Sequence, residues 1–205
     1  MTPKLVPPDI AEESGYDACR GKTWGHSVSD SRLDTKANRI IHRNNAQEIV
    51  KALVDLEEHR AEFATRWLWE LIQNARDFPD VSRPMTIRIN VSSERITFAH
   101  NGRDFTEDEI LSLILHGSTK QSNAAQLGKF GTGFLSTHLL SKQVRVKGTL
   151  CDDDGVRKAF EFDLDRSGDN AEQVGDAMQR SLGALKRSLA RSGIASTGWT
   201  EYVYQ

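Results

Sequence analysis

The alternation of apolar and polar residues predicts where helices and strands lie along the chain. Apolar residues at helical spacing predict helices over 45–58, 61–77, 107–115, 134–140 and 170–191. Residue-by-residue alternation predicts two hairpins and a last strand, over 85–91 with 95–100, 143–150 with 156–164, and 199–204. Thr106 and Glu109 form a capping box ahead of the third helix. This order predicts an α+β fold, a two-layer α/β sandwich with helices on one face of a mixed, mostly antiparallel sheet.

The first 44 residues lack the apolar periodicity of the rest of the chain. Residues 1–44 contain three of the five prolines and no sustained apolar period, which predicts an irregular N-terminal arm. Asn45, with Glu48 three residues later, is typical of a helix start. We therefore expect an arm over 1–44 and a single domain over 45–205.

Composition and charge narrow the classes of function. The 205 residues carry 27 basic and 29 acidic side chains, a formal net charge of -2, which argues against direct binding of nucleic acid. Cys19 and Cys151 are isolated, which argues against a structural zinc site or a disulfide framework. The sequence contains neither an apolar run of membrane-spanning length nor the apolar core of a signal peptide, so we expect a cytoplasmic protein without a membrane partner.

Three polar residues share one face of the second predicted helix. Glu70, Asn74 and Asp77 are spaced i, i+4 and i+7, beside an apolar stripe. The solvated side of any amphipathic helix has this pattern, so the spacing alone does not distinguish a site from a surface. Nearby glycine-containing segments favour a site.

Two such segments follow within about 60 residues. Gly102 lies in a turn where the second strand ends, and a glycine there lets backbone approach a ligand closely. The loop over 117–133 precedes a predicted helix, so its N–H groups could cradle a phosphate. The glycine spacing over 127–134 matches neither the P-loop nor the dinucleotide-binding fingerprint.

Taken together and in order, the segments 70–77, 100–102 and 128–134 resemble the GHKL superfamily. This is the Bergerat-fold family of gyrase, the 90-kDa heat-shock chaperones, histidine kinases and MutL. The resemblance covers about 45–205 and is closest to the chaperone-like and sacsin-like branch. It implies a Bergerat-type fold that binds ATP and Mg²⁺.

The resemblance also implies roles for individual residues. Glu70 would be the general base that activates water, and Asn74 would hold the magnesium ion through its carbonyl oxygen. Asp77 would support the pocket wall, and Thr200 would lie beside the adenine. Lys120 and Lys129 are candidates for phosphate contact, although loop lysines are commonly just solvated. The implied nucleotide-binding residues are Asn74, Asp77, His100, Asn101, Gly102, Ser118, Thr119, Lys120, Gly128, Lys129, Phe130, Gly131, Thr132, Gly133, Phe134 and Thr200.

The chain departs from the family at the position that reads the base. The family has an aspartate where this chain has His100, and that aspartate accepts a hydrogen bond from the adenine amino group. A neutral histidine can accept through one ring nitrogen, which would retain a weakened adenine reading. Equally, His100 could be a strand-end histidine bonded into the core. Asp104 replaces the second glycine of this motif.

These features predict a magnesium-dependent ATPase domain whose lid closure drives homodimerisation or domain rearrangement. We expect slow turnover in isolation, because relatives take a basic residue for the γ-phosphate from a downstream domain or a partner subunit. The larger protein would be chaperone-like or a bacterial antiviral defence protein.

Two alternatives stay open. His100 and Asp104 motivate a nucleotide-sensing module without hydrolysis. A histidine-kinase-type phosphotransferase is disfavoured by the short irregular arm and by the acidic Glu70.

Overall fold

The computed structural model of the chain describes residues 28–116, 132–191 and 198–205. The chain divides into two compact units, Met1–Lys36 and Ala37–Gln205, and every strand of the described sheet belongs to the second. Among the described residues, no helix combines the length and the apolar composition that crossing a membrane requires.

The order of elements follows the predicted order closely. In chain order they are α1 (Val28–Glu58), α2 (Arg60–Phe63), α3 (Arg66–Asp77), β1 (Ile87–Val91), β2 (Ile96–His100), α4 (Glu107–Leu115), α5 (Thr132–Leu135), a 3₁₀ helix (Ser136–Leu139), β3 (Gln143–Cys151), β4 (Arg157–Asp165), α6 (Ala171–Leu189) and β5 (Thr200–Tyr204). Both predicted hairpins and the last strand are confirmed. The capping box of α4 is also confirmed, since Thr106 and Glu109 each bond the other's backbone N–H.

Three helices differ from their predictions. The first helix starts at Val28 rather than Asn45, because residues 35–44 remain helical with mostly exposed side chains and therefore show no apolar period. The helix predicted over 61–77 is divided into α2 and α3. The helix predicted over 134–140 is a single turn of α-helix, α5, that continues as a 3₁₀ helix.

The sheet has five strands in the order β1-β2-β5-β3-β4. All four neighbouring pairs are antiparallel, so the named strands do not form the mixed sheet that the sequence predicts. A parallel pairing occurs at the isolated bridge between Phe105 and Leu150. The strand β5 lies between the two hairpins and connects them.

One face of the sheet is buried against helices. Alternate residues of β3 and β4, including Val146, Phe160 and Phe162, join side chains of α3, α4 and α6 in the main core. The opposite face carries lateral ion pairs such as Arg145 with Asp163. This is an α+β arrangement compatible with a two-layer sandwich.

A second core cluster holds the later part of α1. Ala46, Ile49 and Leu53 pack with Leu139 of the 3₁₀ helix and Met178 of α6. The short helices after residue 131 are therefore held by apolar contacts with α1 and α6 as well as by Phe134 in the main core.

Candidate functional site

Three of the residues that the sequence singles out meet at one end of the buried sheet face. Asn74 of α3, His100 at the end of β2 and Thr200 at the start of β5 line a common recess. His100 and Thr200 are paired directly across the two strands, and all three residues are buried. The recess is further lined by Phe78, Arg103, Asp104, Phe105, Glu109 and Tyr202. Its volume is about 10 Å³, which is the space that one water molecule needs.

Asn74 brings an unsatisfied polar group to this recess. Its side-chain Nδ2 is shielded from solvent and has no hydrogen-bond partner among the described residues. A buried amide without a partner costs free energy, so its presence in a folded core requires a reason. Rotating the amide by 180° exchanges the nitrogen for the carbonyl oxygen at the same place.

This amide fits a magnesium ion held mainly by a nucleotide. Mg²⁺ prefers oxygen ligands and is commonly bound by one or two protein groups together with phosphate oxygens and water. In the described part of the chain, no group of three or more His, Cys, Asp or Glu side chains could hold a metal ion.

The ring of His100 is held in one tautomer. Its Nδ1 accepts a hydrogen bond of 3.1 Å from the backbone N–H of Gly102. Burial lowers the pKa of His100 to about 4, so the ring is neutral at pH 7. With Nδ1 unprotonated, the proton lies on Nε2, and that nitrogen is a donor. The acceptor that the sequence analysis assigned to base reading is instead used within the turn.

The predicted base Glu70 lies one helical turn before Asn74. Its Oε1 accepts a hydrogen bond of 3.0 Å from Nε of Arg66. A methyl group on Gly133 would overlap the Glu70 carboxylate unless that side chain moved, so the start of α5 approaches the Glu70 side chain of α3 closely. Two sequence motifs thus meet, although Glu70 does not line the recess.

Asn101 and Gly102 contact the protein itself. Asn101 accepts a hydrogen bond from Thr86 N–H at 2.6 Å and donates one to the Pro84 carbonyl at 3.0 Å, which fixes the segment before β1. A Cβ on Gly102 would overlap the carbonyl oxygen of Phe78 at the end of α3. The close approach that the sequence assigned to a ligand is made here by backbone.

The remaining predicted residues fall into two groups. Phe134 is a core residue whose ring centroid lies 5.4 Å from that of Tyr202, and Asp77 ends α3 outside the recess. Thr132 begins the four-residue α5, which continues directly as the 3₁₀ helix. Seven residues lie outside the described part of the chain: Ser118, Thr119, Lys120, Gly128, Lys129, Phe130 and Gly131.

Two carboxylates, those of Asp104 and Glu109, border the recess but were not predicted to belong to it. Arg103 binds both carboxylate oxygens of Glu109, at 2.9 and 2.5 Å, and lies 4.7 Å above the ring of Phe78. The Oδ2 of Asp104 forms an ion pair of 2.6 Å with Arg157. The sequence marked Asp104 as unusual, because it replaces a glycine of the motif. Glu109 was interpreted only as a capping residue of α4.

No protein-family model matches the chain, and no curated protein matches its sequence. Evidence for function therefore comes from the placement of these side chains.

Proposed function

We propose that the chain is a magnesium-dependent nucleoside triphosphatase domain of the GHKL type, for which ATP is the substrate expected from the resemblance. The observation that supports this most is the convergence of Asn74, His100 and Thr200 on one recess, where Asn74 presents an unsatisfied buried amide. A buried polar group without a partner calls for an explanation, and a bound ion or a catalytic role is one of them.

Each residue has a role that its chemistry allows. Asn74 would hold a magnesium ion, which when bound neutralises charge on the phosphates. Glu70, oriented by Arg66, would position and deprotonate the attacking water. His100 and Thr200 would face the edge of the base, with His100 opposite the substituent at C6.

Binding requires the recess to widen. A space of about 10 Å³ admits a water molecule but no purine. The Arg103–Glu109 pair borders the recess, and its arginine is 40% exposed. In this proposal the recess opens by rotation of the Arg103 side chain, which would break its two hydrogen bonds to Glu109. In this proposal a downstream domain or partner subunit completes the site, and closure favours a homodimer.

A second candidate function is nucleotide binding without hydrolysis. It is favoured by Glu70, which is engaged by Arg66 and does not line the recess. A nucleotide would then act as a structural signal.

Calorimetric titration with a magnesium nucleotide tests whether the chain binds a nucleotide at all, as both candidate functions require. We expect Asn74→Ala to weaken binding at least tenfold in the presence of magnesium. Gln73→Ala changes the exposed neighbour on the same helix and should bind like the wild type. If the wild-type chain binds no nucleoside triphosphate, the proposal is wrong.

Phosphate release tests the catalytic step. We expect Glu70→Gln to bind nucleotide normally and to hydrolyse it about 100-fold more slowly. Equal turnover in this variant would remove Glu70 as the base. Normal binding without wild-type turnover would favour the signalling module.

A further inference from the structure

The proposed function places the C6 substituent of a purine beside His100, whose second ring nitrogen is a hydrogen-bond donor. His100 lines the recess, and its Nδ1 is occupied by the Gly102 N–H. Nε2 forms no hydrogen bond with the described residues. Because the neutral ring carries its proton on Nε2, it can donate to a ligand but cannot accept from one.

Purines differ in what they present at this position. Adenine carries an amino group at C6, which is a donor, and an unprotonated N1. Guanine and hypoxanthine carry a carbonyl oxygen at C6, which is an acceptor, and an N1–H. A donor facing the amino group of adenine would leave two donors opposed and unpaired, which is costly in a desolvated site.

The border of the recess supplies the complementary acceptor. Asp104 lines the same recess, and its Oδ2 is the oxygen engaged by Arg157. An ionised carboxylate has about four lone-pair sites, so one ion pair does not exhaust it. A donor from His100 and an acceptor from Asp104 match a C6 carbonyl with its neighbouring N1–H.

From this pairing we propose that the site selects a 6-oxopurine nucleoside triphosphate, with a guanine or hypoxanthine base, over ATP. The inference rests on the proposed function, since it requires that a nucleotide binds in this recess. It names His100 as the residue that determines specificity and Asp104 as its partner.

The decisive experiment is a comparison of ATP, ITP and GTP in magnesium titrations of the full 205-residue chain. ATP and ITP differ only in the groups at C6 and N1. We expect ITP and GTP to bind at least about tenfold more tightly than ATP, the effect of one unpaired buried donor. His100→Asp, which converts the donor to an acceptor, should reverse this order, and His59→Asp at an exposed site should not.

Since His100→Asp places a carboxylate in a buried position, a measurement on the wild-type protein is also needed. The ¹⁵N shifts of the His100 ring should show a protonated Nε2 and an unprotonated Nδ1.

The possible results separate the two proposals. Tighter binding of ATP than of ITP, or a protonated Nδ1, would overturn the base preference and leave nucleotide binding intact. Failure of all three nucleotides to bind would overturn both.

Discussion

The buried face of the sheet has two ends that differ in chemistry. Under β3 and β4 it is filled by apolar side chains such as Phe160 and Phe162. Under β2 and β5 the same face carries His100 and Thr200, opposite Asn74 of α3. The first end gains free energy from burial, whereas the second tolerates an unsatisfied amide. On one sheet, the apolar end under β3 and β4 thus provides stability, and the polar end under β2 and β5 carries the proposed binding function.

The largest effect should come from the apolar end. Phe160→Ala removes a fully buried ring that contacts Phe105 and Phe162, and we expect a loss of about 3–5 kcal/mol in the free energy of unfolding. Chemical denaturation measures it, with exposed Val156→Ala as the matched control. A loss below about 1 kcal/mol would show that this end does not carry the stability of the fold.

Acid should destabilise the fold in part through His100 at the polar end. Burial lowers the pKa of His100 to about 4 in the folded chain, against the ordinary 6.5 when unfolded. Between these values only the unfolded state takes up the proton, so the free energy of unfolding falls as pH drops from 6.5 to 4. The contribution of this group is on the order of 3 kcal/mol.

Denaturation of His100→Asn across this pH range isolates the effect. The variant should lose stability with acid less steeply than the wild type. The fully buried His138, whose pKa is lowered by burial to about 3, remains in both proteins. Parallel curves for the two proteins would show that His100 is not the group responsible.

Replacing the unsatisfied amide should sharpen the comparison, because stability and binding should change in opposite directions. Asn74→Leu has a similar volume and no polar atoms, so we expect the free energy of unfolding to rise by about 1 kcal/mol. Magnesium-dependent nucleotide affinity should be lost. A destabilised variant would mean that the amide has a structural role in the wild-type fold.

The smallest effect is expected on the outer face of the sheet. Arg145 and Asp163 form an ion pair of 2.9 Å with side chains that are 45% and 54% exposed. We expect Arg145→Ala to cost less than about 1 kcal/mol, and less still at high salt. Thermal melting at two salt concentrations measures this. A loss as large as that of Phe160→Ala would contradict the assignment of stability to the buried face.

The sequence predicted the elements whose signals are local. Alternation located both hairpins, and the Thr106 capping box located α4. The start of α1 was missed because residues 35–44 form a helix without burying a face. Antiparallel pairing of β5 on both sides depends on contacts between distant segments, which alternation alone does not reveal.

The sequence predicted several residues that line the recess, but it did not predict their hydrogen bonds or ion pairs. Motif order selected Asn74 and His100, the family resemblance added Thr200, and all three line one recess. The tautomer of His100 could not be predicted from the sequence, because it depends on the backbone N–H of Gly102 in the following turn. The pairing of Arg103 with Glu109 likewise depends on how the chain bends between them.

The central place of β5 has a consequence for how the protein is made. The hairpins β1–β2 and β3–β4 are complete long before Thr200–Tyr204 is synthesised, yet neither pairs with the other. During translation the inner edges of β2 and β3 have no partner strand until β5 is made, and unpaired strand edges can pair with other chains. Sheet closure therefore waits for β5, and we expect the nascent chain to depend on protection from aggregation until that strand emerges.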